Sequence, residues 1–91
     1  MTDFALSKDD NAPMSAGLFR LEKGDPITYE YTYEEMKIIL DGEFVISDGS
    51  GEEVRASAGD LFYFPKGSVI TFSTEDFGLA YFVGQRGADE A

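Results

Sequence analysis

Residues 58–67 read Ala58-Gly59-Asp60-Leu61-Phe62-Tyr63-Phe64-Pro65-Lys66-Gly67. Four consecutive apolar side chains, three of them aromatic, stand between a Gly-Asp turn signal and a Pro-Lys-Gly turn signal. Proline brings no ladder donor, so a strand that begins at Leu61 has to stop at Phe64. The run is too short for a helix, which needs roughly ten residues or more. It reads as one short strand.

The same arrangement repeats on either side. Upstream lie residues 53–57 (EVRAS), 43–47 (EFVIS), 35–40 (EMKIIL), 27–33 (ITYEYTY) and 16–21 (AGLFRL), and downstream 69–73 (VITFS) and 79–83 (LAYFV). Turn signals separate them. Lys23-Gly24-Asp25-Pro26 closes the first run, Asp41-Gly42 reads as a hairpin, and Asp48-Gly49-Ser50-Gly51 as a second tight turn. Residues 27–33 alternate Tyr with Thr and Glu, the period of a strand with unlike faces. No stretch holds a helical period beyond two turns. Eight short strands at even spacing predict an all-β barrel, in which closure removes aggregation-prone edges.

Composition bounds the rest. Ninety-one residues with 43% apolar side chains, eight Phe and five Tyr suffice for one core. A formal charge of −11 repels phosphate backbones and anionic membranes, so nucleic acid and lipid are not expected partners. The absence of Cys excludes disulfides and thiolate ligands. No apolar run approaches the ~20 residues of a membrane span, and the opening MTDFALSKDD lacks the form of a secretory signal, so the expected compartment is the cytoplasm. Residues 1–13 read as a loose N-terminal arm, in which Phe4 and Leu6 could anchor an edge strand. Residues 14–84 form the domain, and 85–91 read as a flexible tail.

Two segments go beyond generic β pattern: Glu35 followed after six residues by Gly42, and the G-D-x-x-x-x-P-x-G of residues 59–67. Their order and separation resemble the two motifs of the cupin superfamily, over roughly residues 24–83. TYEEMKIILDG and AGDLFYFPKGSVITF are most similar to the ethanolamine-utilisation EutQ-like group, which often lacks the metal-binding histidines. The resemblance implies a double-stranded β-helix, or jelly-roll barrel, frequent dimerisation and a pocket in the barrel mouth.

Carried over position by position, the two motif-one histidines fall on Thr28 and Glu30 in one register, or on Tyr29 and Tyr31 in the other. The motif-two histidine falls on Ile70. Only Glu35 keeps the family's residue type. With no His or Cys in the chain, no metal cofactor is expected.

Lys37 stands two residues after Glu35, so on a strand the two share a face. If that face is the barrel interior, neither charge can be buried alone, and Lys37 with Glu35 and Glu30 replaces the metal. On the other reading Glu35 and Lys37 lie on a solvated face, with Ile38 and Leu40 inside. Glu35, Lys37 and Glu30 are thus the candidate catalytic residues. Thr28, Tyr29, Tyr31, Tyr63, Ile70, Phe72 and Tyr81 are the candidate ligand-binding residues.

Three functions fit. One is a small-molecule-binding cupin, such as an accessory protein of a catabolic pathway. Another is a metal-independent isomerase, lyase or cyclase using the Glu/Lys pair for proton transfer. The EutQ resemblance implies a third, acetate-kinase-type activity. Apolar side chains on both faces of EMKIIL and LFYF predict a homodimer, because so small a barrel covers only one face of each strand.

Overall fold

Both short strands and tight turns appear in the computed structural model, which describes residues 2–7, 11 and 13–86. In chain order the strands are β1 (Thr2–Leu6), β2 (Ser15–Glu22), β3 (Ile27–Glu30), β4 (Glu35–Ser47), β5 (Glu53–Ser57), β6 (Leu61–Phe64), β7 (Val69–Ser73) and β8 (Phe77–Gly84). Every pairing is antiparallel. One sheet runs β1-β2-β8-β4-β6, and the other runs β5-β4-β7-β3. Within the N-terminal arm, Thr2–Leu6 is the edge strand β1, paired to β2, while residues 1, 8–10 and 12 lie outside the described residues. Among the described residues no helix is long and apolar enough to cross a membrane.

Strand β4 belongs to both sheets, and this corrects the hairpin expected at Asp41-Gly42. Its first part pairs with β6 and β8, its second with β5 and β7. Between them Leu40 is an extra residue, since Ile39 pairs with Ala80 and Asp41 with Leu79. A bulge bends a strand and moves its side chains to the opposite faces. Accordingly the buried positions before it are Glu35, Lys37 and Ile39, and those after it are Phe44 and Ile46.

The corner is built on glycine. Gly42 has φ +67°, and a Cβ there would lie 2.2 Å from the Phe77 carbonyl oxygen. Its cross-strand partner Gly78 has no room either: a Cβ would meet the Phe44 ring at 2.5 Å. Bare backbone on both strands lets Phe44 cross the corner into the core.

That core is aromatic. Phe19 stacks on Phe44 at 5.6 Å, and Phe72 meets Phe19, Phe44 and Phe64 edge-on at 5.4, 6.3 and 5.7 Å. Each fully buried Phe contributes about 1.5–3 kcal/mol over its exposed state. The opposite face of the first sheet leaves Leu18, Met36, Leu40, Leu61 and Tyr63 exposed, with Ile38, Leu79, Tyr81 and Val83 half-buried among them.

Candidate functional site

The polar centre of the interior starts with the turn after Pro65. Gly67 N donates to the Tyr31 carbonyl at 2.7 Å, and Tyr31 N donates to the Ser68 carbonyl at 2.8 Å. Glu34 accepts from Tyr63 OH at 2.8 Å and from Lys66 N at 2.9 Å. Those donors hold its carboxyl below the usual carboxylate range. The connection between β3 and β4 is thereby fixed on both sides, and Tyr31 turns inward.

There it meets β4. Tyr31 OH donates to Glu35 Oε2, while Lys37 Nζ donates to the same oxygen at 3.0 Å and to Tyr31 OH at 3.3 Å. Glu35, Lys37 and Tyr31 are each at most 2% exposed. The ammonium lies 4.5 Å from the Phe19 ring centre, 4.6 Å from Phe72, 5.8 Å from Phe64 and 5.9 Å from Phe82. Four ring faces attract the cation where water cannot reach it. Burial pushes the Lys37 pKa down, and the Glu35 carboxylate opposes that shift. Burial and then the Glu35 charge push the Tyr31 phenol up, so it remains a donor. Among the described residues Glu35 Oε1 has no hydrogen-bond partner.

The structure thus brings together Glu35, Lys37, Tyr31 and Phe72, and places the Glu/Lys pair inside. Glu30 does not join them. It and Thr28 are exposed on β3, because strand alternation turns inward only the residue between them. Thr28 shares a 2.9 Å hydrogen bond with Thr71 Oγ1 on the neighbouring strand. Tyr29 is half-buried, packs on Tyr31 at 4.9 Å and accepts a hydrogen bond from Tyr33 at 3.1 Å. Tyr63 is 54% exposed and engaged with Glu34. Tyr81 lies on the outer face of the sheet, opposite Ile38 and Leu18.

Sequence reasoning missed Arg86, placed in the tail yet 2% exposed. Its guanidinium lies 5.3 Å from the Phe82 ring and 5.5 Å from Tyr33, and its carbonyl accepts from Ser15 Oγ at 2.8 Å. Residues 87–91 of that tail lie outside the described residues.

A cupin metal does not fit this interior. Ile70 offers no donor at the motif-two position. Among the described residues the one inward carboxylate is Glu35, already held by an ammonium at 3.0 Å, and that charge repels a cation. An open concavity lies between the β4–β5 hairpin and β6. It is a cleft of about 320 Å³ with Ile46, Val54, Phe62, Phe64 and Ile70 as apolar walls and Asp48 and Glu52 among its polar groups.

Comparison with known proteins agrees with this architecture. Residues 1–84 match the family described as ethanolamine utilisation protein EutQ. The chain belongs to the EutQ family. It is similar to the acetate kinase EutQ of Escherichia coli, at 34% identity over 74 residues, which cover 81% of this chain and 30% of that protein. It thus spans under a third of that curated relative. Among solved structures, a putative ethanolamine utilization protein Q from Salmonella typhimurium superposes with a TM-score of 0.79. The pair are 29% identical, and the match covers 94% of this chain and 68% of that one. A cupin superfamily protein from Desulfitobacterium hafniense, at 19% identity and TM-score 0.74, matches over 92% of this chain and 75% of its own. The fold of this EutQ-family chain is the cupin jelly roll.

Proposed function

We propose that this EutQ-family chain is a metal-independent module that binds a small organic ligand in the cleft beside Phe62 and Phe64, in the service of ethanolamine breakdown. The observation that carries the reading is the enclosure of Tyr31, Glu35 and Lys37. A general acid or base must come within hydrogen-bond reach of the proton it moves, directly or through one water. None of the three has the exposure to do so. Their charges are spent on one another, and the cleft is where a ligand finds apolar walls and polar groups together.

The family's name supports the pathway. Acetate-kinase activity is a property of the longer E. coli relative's name, and the cleft offers an acyl phosphate no help: its charged lining side chains are Asp48 and Glu52.

The homodimer is part of the same proposal. The outer face formed by Leu18, Met36, Leu40, Leu61 and Tyr63 supports it, because an apolar surface of that extent favours a second copy.

The test is a thermal-shift screen of small organic acids, amines and nucleotides, with substrate consumption followed in the same wells. A native-state binder raises the midpoint. Val54→Arg, which fills the cleft from its rim, is expected to abolish that rise. Turnover of a compound with loss of activity in Lys37→Met would replace the binding reading with the catalytic one.

A further inference from the structure

We propose that the barrel interior is a built binding site for a primary ammonium group, and that Lys37 fills it from its own backbone. The site is complete around the nitrogen. Glu35 Oε2 at 3.0 Å and Tyr31 OH at 3.3 Å take two of its N–H groups. The rings of Phe19 and Phe72, at 4.5 and 4.6 Å, cover the remaining directions with π faces.

This donor set discriminates. A ring face attracts a cation but gives no lone pair, so a metal ion would lose water ligands it could not replace. A neutral hydroxyl or amide could hydrogen-bond to Glu35 but would leave its charge uncompensated. A primary ammonium meets Glu35 Oε2, balances the carboxylate's charge and engages the phenol oxygen and the rings together. The four residues that make the cage come from β2, β7, the β3–β4 connection and β4 itself. The barrel, rather than the Lys37 side chain, holds the geometry.

Lys37→Ala removes Cγ, Cδ, Cε and Nζ, which is the outline of n-propylammonium. The unfolding midpoint of this variant is measured against increasing n-propylammonium chloride, with potassium chloride and 1-propanol as controls. The expected result is a saturable rise with propylammonium that neither control gives. The rise should be absent from wild type, whose site is filled, and from Glu35→Gln/Lys37→Ala. A rise matched by either control, or one that survives in the double variant, overturns the proposal.

Should Lys37→Ala fail to fold, the chain's lack of cysteine offers a second route. Lys37→Cys is alkylated in denaturant with 2-bromoethylamine, restoring an ammonium at lysine length, or with iodoacetamide, giving a neutral amide. Both products are then refolded and followed by circular dichroism. Recovery of the native spectrum only with the aminoethyl product is expected; equal recovery, or failure of both, sinks the idea.

Discussion

Lys37 Nζ and Glu35 Oε2 are 3.0 Å apart, two residues from each other on one strand, with side chains 1% and 0% exposed. A pair so deeply buried is strongly destabilised when halved, because the survivor keeps an uncompensated charge.

Lys37→Met is therefore expected to cost about 3–5 kcal/mol. Glu35→Gln added to it should restore most of that loss, since a neutral amide needs no counter-charge. Urea unfolding of the wild type, both single variants and the double variant checks this. Additive costs, with no coupling between positions, would show that the two side chains act separately.

The pH dependence carries opposing signs. Lys37 has its folded pKa pushed below 10.5, so it favours folding above that value and the benefit is lost as pH falls through the folded pKa. Tyr31 and Tyr33 have theirs pushed above 10.0, first by burial, so their contribution is present below that value and lost as pH rises beyond it. Above about pH 10.5 the tyrosines alone remain, and stability should fall by up to about 1.4 kcal/mol per pH unit for each. Tyr31→Phe is expected to make that decline shallower. Urea midpoints and tyrosinate absorbance along an alkaline series give the comparison; an unchanged slope would exclude Tyr31 as a source.

Two glycines with positive φ should respond differently to alanine. Gly49, at φ +86° with open space around its Cβ position, should cost only the left-handed strain of about 1–2 kcal/mol. Gly42→Ala meets that strain and the 2.2 Å clash with the Phe77 carbonyl, and should cost at least about 2 kcal/mol more. Similar thermal midpoints for the two variants would mean the corner is not as tight as described.

The outer face gives a prediction in solution. Sedimentation at micromolar concentration should show a dimer for wild type and a monomer for Met36→Glu/Leu61→Lys, with unchanged circular dichroism. Both side chains are more than half exposed in the single chain, so their replacement leaves the core intact. A monomeric wild type would refute the dimer.

Much of the barrel was legible because its turns are marked by Gly and Pro and its strands by β-rich runs. The corner in β4 was not, because Asp-Gly is the same local signal whether the chain reverses or merely bends. What distinguishes them is the shift of buried positions from 35, 37 and 39 to 44 and 46, which only the second sheet reveals. The spacing of Glu35 and Lys37 put them on one face, but Met36, Ile38 and Leu40 made the other face equally apolar. Glu30 was assigned inward by the family register, whereas the pleat of β3 turns it outward. Arg86 gave no signal, being a lone cation in a polar tail.

Because β4 is the one member common to both sheets, neither sheet can come apart while the other persists. Opening the whole of 35–47 breaks ladders to β6 and β8 along its first part and to β5 and β7 along its second. Its interior amides should therefore exchange with deuterium only through whole-molecule opening, all at one common free energy, while β1 and β3 at the margins exchange earlier by local fraying. Assembly is subject to the same demand: partners distant in sequence must arrive before either ladder is complete, which makes for slow, all-or-none folding.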